Sequence, residues 1–190
     1  KYVLEPNRKS GYEIDIFIHT WNERDHSTIN YRNPNGEKPS DAALTKADRE
    51  KVLALYKPKS ILFENQIECE DKIIIEKIAN VKRSIKGCIN NSYTIFKVNE
   101  LRQKYEKENN TKYDWVIQTR PDILFKTPFD IDLLLEPYQR FSFDIPQNAF
   151  FYASNPFNRG MVLDSRLICG SDLIYFSTPE NMNKATALYQ

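Results

Sequence analysis

The segment "YEIDIFIHTWN", Tyr12 to Asn22, indicates the class of the fold. Isoleucines alternate with other side chains from position 14 to position 18, and this spacing predicts a strand from Tyr12 to His19. The segment ends in a group of polar and aromatic residues: His19, Thr20, Trp21 and Asn22. A strand that ends in such side chains is placed to present them to a ligand.

Two later segments repeat this arrangement of an apolar run followed by polar side chains. They are "KSILFE", Lys59 to Glu64, and "YDWVIQT", Tyr113 to Thr119, and both are rich in residues that favour strands. The polar residues at their ends are Glu64, Asn65, Gln66, Arg120 and Asp122. Ligands of open parallel sheets bind at the carboxyl ends of the strands. We therefore expect the three strand ends to lie side by side and to form one site.

Helix-like segments separate the predicted strands. Thr45 as a cap and Asp48 three residues later predict a helix from Thr45 to Leu55. A helix from Ser92 to Glu108 is indicated by apolar side chains at steps of three and four residues, namely Ile95, Val98, Leu101 and Tyr105, and Asn109-Asn110 ends it. Further predictions are helices at Asp71–Ile85 and Pro179–Leu188 (capped by Thr178), short strands at Arg140–Ile145 and Arg166–Ile168, and a helix start at Asp130 and Asp132.

This alternation predicts an α/β fold with three layers (helix, sheet, helix) and a mostly parallel central sheet joined by right-handed crossovers. At 190 residues the chain is most simply a single domain over residues 1–190. The sequence begins at Lys1 without a methionine, in a segment that looks like the tail of an element. We leave open that the chain is a fragment that lacks the first strand of its sheet.

Charge and hydrophobicity argue against two classes of partner. Lys and Arg number 27 against 26 Asp and Glu, and a net charge of +1 gives no electrostatic reason to expect nucleic acid. No apolar run approaches the ~18 residues of a membrane span, so we expect no transmembrane segment. The 3 cysteines are odd in number and lack metal-ligand spacing, which favours reduced thiols and a cytoplasmic location.

Four segments, taken in order, resemble a family of bacterial sugar transferases: "YEIDIFIHTWN", "KPKSILFENQ", "SYTIFKVNELRQKYEKENNTKYDWVIQTRPDILF" and "LDSRLICGSDLIYFSTPENM". Members of that family occur in gene clusters for capsule and lipopolysaccharide and adopt a GT-A-like nucleotide-sugar fold. The resemblance implies a glycosyltransferase that moves a sugar from a nucleoside diphosphate-sugar to a glycan or lipid-linked glycan acceptor. It also implies an additional strand and helix before Lys1, and a cytoplasmic location that can include the inner face of the membrane.

The resemblance directs attention to "RPD", Arg120 to Asp122. GT-A enzymes generally hold a divalent cation through an Asp-x-Asp motif after a strand, and the cation offsets charge on the leaving diphosphate. Mg²⁺ or Mn²⁺ suits such carboxylate oxygens. Here arginine replaces the first aspartate. Either Asp122 alone holds the metal, or Arg120 clamps the phosphates and a metal is less needed; the structural alternative is an ion pair that only caps the strand.

The candidates for binding the donor are His19, Trp21, Asn22, Glu64, Gln66 and Arg120. Trp21 offers an aromatic face to a base or a sugar, and Asn22 offers an amide for hydrogen bonds. Glu64 and Gln66 are candidates for contacts with the base or the ribose. The structural alternatives are a half-buried Trp21 with His19 satisfied in the core, and Glu64 or Gln66 as caps of the following helix.

The catalytic candidates are Asp164 and Asp172, with Asp164 the first choice. An inverting transferase needs a carboxylate that deprotonates the acceptor hydroxyl. Both aspartates lie in the segment that, in the resembling family, follows the metal motif and faces the acceptor. The alternative is that they only form turns, because Asp-Ser and Gly-Ser-Asp are favoured turn sequences.

Two other functions stay open. One is a non-catalytic nucleotide- or sugar-binding module of the same fold, in which the altered motif marks lost metal chemistry. The other is a phosphoryl-transfer hydrolase that uses Asp122 as a nucleophile or metal ligand. The sequence disfavours the hydrolase, because it contains no Gly-rich phosphate loop.

Overall fold

The computed structural model describes residues 1–22, 43–65, 85–120, 125, 127–142, 144–145, 149–152 and 174–187. They are mixed α/β, as the sequence predicts. The chain divides into two compact units, which are described one at a time: residues 1–14 with 112–185, and residues 15–111 with 186–190. A single domain can contain two such units, so one domain over residues 1–190 stays a prediction.

The unit that contains residues 15–111 is built on two parallel strands, β1 (Phe17–Trp21) and β2 (Ser60–Glu64). They pair in register, from Phe17 opposite Ser60 to Trp21 opposite Glu64. Because the strands run in the same direction, their carboxyl ends meet at one edge. The structure thus confirms the parallel arrangement predicted for these two strands, although β1 begins later than the predicted Tyr12.

Helix α2 (Lys46–Tyr56) begins at the predicted cap. The Asp48 amide donates to Thr45 Oγ1 at 3.2 Å, and the Thr45 amide donates to Asp48 Oδ2 at 3.1 Å. This reciprocal pair satisfies two amides that the first turn of a helix leaves without a partner. The helix ends at Tyr56, because the next residue, Lys57, adopts a φ of 46° that breaks the helical geometry.

Helix α3 (Ile85–Asn109) packs against β1 and β2. It ends as predicted, because Asn110 adopts a φ of 49°, in the left-handed region that asparagine tolerates better than most residues. The predicted helix Asp71–Ile85 lies outside the described residues up to position 84, and Ile85 is the first residue of α3.

The buried face of α3 is more polar than the sequence predicts. Ile95 is buried as expected, but Asn99 and Arg102 are buried as well, whereas Val98, Leu101 and Tyr105 are only partly buried. Arg102 donates to Asn99 Oδ1 from Nε at 3.1 Å and from Nη2 at 2.9 Å, and it donates from Nη1 to Glu106. These bonds offset the cost of burying a guanidinium. The apolar spacing alone does not predict a buried arginine.

The other unit contains an antiparallel sheet of three strands, β3 (Val116–Thr119), β4 (Phe150–Tyr152) and β5 (Ile174–Ser177). Its order is β3-β5-β4, and both pairs are antiparallel. Among the described strands, the expectation of a mostly parallel sheet therefore holds for β1 and β2 only. The expectation was incomplete because the sequence analysis predicted neither β4 nor β5, and β5 is the strand to which β3 is bonded.

Helix α4 (Ile131–Arg140) covers this sheet, and its Ile131 and Leu135 form a core with Phe176 of β5. The predicted helix start is confirmed, because Asp130 Oδ1 accepts from the amide of Asp132 at 3.0 Å. The predicted strand Arg140–Ile145 is wrong where the chain is described, because Arg140 is still helical and residues 141–142 and 144–145 are not in a strand. The apolar spacing that starts at position 131 is helical and continues through position 138.

A short helix, α1 (Leu4–Lys9), is fixed to the start of α4 by one buried amide. The Asn7 side chain donates from Nδ2 to the carbonyls of Val3 and Phe129, each at 2.7 Å, and its Oδ1 accepts from the amide of Ile131 at 2.8 Å. Asn7 is fully buried, so its polar side-chain atoms depend on these bonds for partners. The sequence analysis did not predict this helix.

Helix α5 (Pro179–Ala187) agrees with the predicted helix Pro179–Leu188. Thr178 caps it, with Oγ1 accepting from the amide of Asn181 at 3.3 Å. The predicted strand Arg166–Ile168 lies outside the described residues. Within the described ranges, none of the helices combines the length and the apolar character that crossing a lipid bilayer requires.

Candidate functional site

Four of the predicted site residues meet at the carboxyl ends of β1 and β2: His19, Trp21, Asn22 and Glu64. The Asn22 amide extends the strand pairing by donating to the carbonyl of Glu64 at 2.6 Å. The Asn22 side chain donates from Nδ2 to Oδ1 of Asn65 at 2.9 Å. Of the three strand ends predicted to form one site, those of β1 and β2 meet at one polar edge. The predicted third strand, β3, is instead hydrogen-bonded in the separate β3-β5-β4 sheet.

His19 is joined to Glu64 rather than exposed to a ligand. Its Nε2 lies 3.0 Å from Glu64 Oε2, and its side chain is fully buried while that of Glu64 is 31% exposed. The ring thus lies in the core, as the structural alternative has it, and a direct contact between His19 and a donor stays a prediction. The imidazole instead holds the carboxylate at the strand edge.

Burial favours the neutral form of the His19 imidazole. Burial lowers the pKa of His19 from its ordinary value of 6.5, and the hydrogen bond with Glu64 opposes this shift without reversing it. Its Nδ1 is buried and has no hydrogen-bond partner among the described residues, so a proton there would create a buried, unpaired donor. Nε2 therefore carries the proton and donates it to Glu64.

The aromatic rings of Trp21 and Tyr93 pack against His19. The His19 ring meets the Trp21 ring edge-on at 4.7 Å between centroids, and it meets the Tyr93 ring at 5.8 Å. Trp21 and Tyr93 lie 5.8 Å apart with their planes only 24° from parallel. Both residues are half-buried, so the two rings form an aromatic surface beside the carboxyl ends of β1 and β2. Tyr93 was not predicted as a site residue, since an aromatic residue in a helix resembles a core position.

Lys97, one turn after Tyr93 on α3, brings a positive charge to the same place. Its Nζ lies 5.4 Å from the centroid of the Tyr93 ring and 2.7 Å from Glu100 Oε2. Burial raises the pKa of Tyr93, the Glu64 carboxylate raises it further, and Lys97 opposes both effects. A carboxylate, a phenol and an ammonium therefore influence one another at this edge. Lys97 was also absent from the sequence prediction.

Arg49 of α2 supplies a second positive charge. Its Nη2 donates to Asn22 Oδ1 at 3.0 Å, and its guanidinium lies 5.3 Å from the centroid of the Phe63 ring. The Arg49 side chain is otherwise exposed. No local sequence signal marks Arg49, because its partner Asn22 lies 27 positions earlier in the chain.

The remaining predicted site residues are distributed differently. Arg120 directly follows β3 in the other unit and is partly buried. Four predicted residues lie outside the described residues: Gln66, Asp122, Asp164 and Asp172. Within the described ranges, three or more His, Cys, Asp or Glu side chains nowhere gather into a group that could hold a metal ion. Since Asp122 is not among the described residues, the divalent cation stays a prediction.

No family model, no curated protein and no solved structure matches this chain. The resemblance to bacterial sugar transferases, and the activity it implies, therefore stay predictions. The observations that bear on function are the side chains at the β1–β2 edge and the chemistry they offer.

Proposed function

We propose that this protein is a glycosyltransferase that moves a sugar from a nucleoside diphosphate-sugar to a glycan or lipid-linked glycan acceptor. The observation that supports it is the edge where Trp21, Asn22 and Glu64 follow adjacent parallel strands. Parallel sheets bind their ligands at such edges. The proposal includes the GT-A-like three-layer arrangement and the cytoplasmic location that the resemblance implies.

The side chains at this edge suit the parts of such a donor. The half-buried ring of Trp21 offers a surface for a nucleobase, and the paired amides of Asn22 and Asn65 offer donors and acceptors for its polar edge. The exposed guanidinium of Arg49, which is bonded to Asn22, offers a charged partner for phosphate oxygens. Each of these groups is already held by a neighbour, which lowers the entropic cost of binding.

The other roles in this proposal come from the sequence alone. Asp122 is the proposed ligand of a divalent cation, Mg²⁺ or Mn²⁺, which when bound supplies positive charge beside the leaving diphosphate. Arg120 is the proposed partner of the phosphates. Asp164, or Asp172 in its place, is the proposed base for the acceptor hydroxyl.

The experiment is a donor screen with the purified chain. UDP-, GDP-, ADP-, CDP- and dTDP-sugars are incubated with the protein, with and without Mn²⁺, and the released nucleoside diphosphate is measured. Calorimetry with the free nucleoside diphosphates runs in parallel. Trp21→Ala should weaken binding by about 5- to 150-fold, the equivalent of about 1–3 kcal/mol for base stacking on an aromatic side chain, whereas Trp21→Phe should retain most of the binding.

Lys104→Met is a matched control, because Lys104 is an exposed residue of α3 whose ammonium lies 3.8 Å from Glu108. It should leave binding and turnover unchanged. Binding without release of any nucleoside diphosphate, with or without added acceptor glycans, would identify the non-catalytic binding module instead. No binding and no turnover with the whole panel would overturn the proposal.

A further inference from the structure

We propose that Glu64, Tyr93 and Lys97 form a subsite for a vicinal diol of a sugar ring. This inference rests on the proposed function, because a nucleoside diphosphate-sugar carries such diols on its ribose and on its transferred sugar. It adds two residues of α3 to the site, and it assigns a chemical class of ligand to one part of the β1–β2 edge.

The three side chains converge from two elements. Glu64 ends β2, whereas Tyr93 and Lys97 lie four positions apart on α3 and therefore on one face of that helix. Tyr93 connects them: its ring lies below the Lys97 ammonium, and the Glu64 carboxylate is close enough to raise the pKa of its phenol. Glu64 and Lys97 are 31% and 25% exposed, so both charged groups are held by neighbours and still reach solvent.

The charges at this place favour hydroxyl groups over phosphate. Among the described residues, the carboxylates of Glu64 and Glu100 accompany the ammonium of Lys97 at this place, and burial disfavours a positive charge on His19. The guanidinium of Arg49 is bonded to Asn22 and is the partner proposed for phosphate oxygens. A phosphate group placed next to Glu64 and Glu100 would meet the repulsion of both carboxylates. A neutral hydroxyl avoids this repulsion, since it donates to a carboxylate and accepts from an ammonium.

A vicinal diol uses both charged groups at once. One hydroxyl donates to the Glu64 carboxylate, and its neighbour accepts from Lys97. The C–H groups of the sugar ring pack on the aromatic side chain of Tyr93. The bond from Lys97 to Glu100 does not exhaust the lysine, because an ammonium has three N–H donors. His19 is a positioning residue for this subsite, since its Nε2–H holds one carboxylate oxygen of Glu64 in place.

Two sources of the diol are separated by the choice of probes. UDP, GDP, ADP and CDP are each compared by calorimetry with their 2′,3′-dideoxy forms, which lack the ribose diol. Methyl α-glucoside, methyl α-galactoside and methyl α-mannoside represent the transferred sugar. The variants are Glu64→Gln and Lys97→Met, with Lys104→Met as the control on the same helix, and thermal unfolding of each variant checks that it folds.

If the ribose is the ligand, the wild-type protein should bind at least one nucleoside diphosphate about tenfold more tightly than its dideoxy form, the effect of one charge-assisted hydrogen bond. Glu64→Gln and Lys97→Met should abolish that difference, while Lys104→Met retains it. If the transferred sugar is the ligand, a methyl glycoside should bind the wild-type protein and not these two variants.

The subsite is refuted if a nucleoside diphosphate binds normally and neither comparison depends on Glu64 or Lys97. That outcome would leave the proposed glycosyltransferase intact. Failure of every probe to bind the wild-type protein, by contrast, would overturn the proposed function and this subsite together.

Discussion

The imidazole of His19 and the carboxylate of Glu64 form a hydrogen bond of 3.0 Å in which only the carboxylate reaches solvent. A lysine or arginine at position 19 would neutralise Glu64, whereas a neutral imidazole fixes the orientation of the carboxylate and leaves its negative charge in place. The β1–β2 edge therefore keeps a strong acceptor that is available to the hydroxyl or N–H groups of a ligand.

The depressed pKa of His19 should make folding pH-dependent. Because the folded pKa lies below 6.5, the unfolded chain takes up the proton first as the pH falls. The contribution of His19 to the free energy of unfolding should be fully present above 6.5 and lost progressively as the pH falls from there through the folded pKa. Urea denaturation at several pH values between about 8 and 5 measures this slope.

The chain offers a matched control for that measurement, because it has 2 histidines and the other is His26. His19→Gln should remove the part of the slope that His19 contributes, whereas His26→Gln should retain it. The assignment of a neutral, buried His19 fails if the slope is unchanged in His19→Gln or if it disappears in His26→Gln.

The buried amide of Asn7 should be worth far more than its small size suggests. Asn7→Ala removes bonds to Phe129 and Ile131 and leaves buried backbone groups without partners. We expect a loss of about 2–4 kcal/mol in the free energy of unfolding, since each such group costs about 1–3 kcal/mol. Glu5→Ala, at an exposed position of α1, should change stability by less than about 0.5 kcal/mol. Equal effects of the two substitutions in urea denaturation would contradict the role of Asn7.

The capping box of α2 predicts a local effect. Thr45→Ala should destabilise the first turn by about 1 kcal/mol, whereas Thr45→Ser keeps the hydroxyl and should be close to neutral. Because α2 contains no fully buried residue, it should open locally rather than with the rest of the unit. Hydrogen exchange of the α2 amides measures this opening, and an unchanged exchange rate in Thr45→Ala would show that the cap does not stabilise the helix.

The features that could be predicted from the sequence depend on residues that are close together in the chain. The Thr45–Asp48 cap, the end of α3 at Asn110 and the strand Ser60–Glu64 each arise from local preferences, and the structure contains all three. The polar ends of β1 and β2 were predictable for the same reason, and Trp21 opposite Glu64 shows that the two ends meet. The third predicted strand end follows β3, which pairs in the separate β3-β5-β4 sheet.

The features that could not be predicted depend on partners that are far apart in the chain. Asn7 bonds to residues more than 120 positions later, and Arg102 is buried because Asn99 and Glu106 receive its donors. Tyr93 joins the site only because α3 packs against β1. The strand β5 carries no alternating pattern, since three of its four residues are buried.

A substitution at Arg120 tests how an arginine in place of the first aspartate of an Asp-x-Asp motif affects donor binding. Arginine presents a planar fork that can hold two phosphate oxygens, whereas lysine presents a point charge on a flexible stem. Arg120→Lys keeps the net charge, and we expect it to weaken the binding of a nucleoside diphosphate by about 1–3 kcal/mol, the range of a charge-assisted hydrogen bond. Calorimetry with UDP, GDP, ADP and CDP, in the presence of Mn²⁺ and again after chelation with EDTA, measures the loss.

Arg140→Lys is the matched control, because Arg140 is an exposed arginine whose guanidinium lies 3.9 Å from Glu136. If Arg120→Lys binds as the wild type does and chelation eliminates binding, then Asp122 and its metal hold the diphosphate and Arg120 only supports the strand.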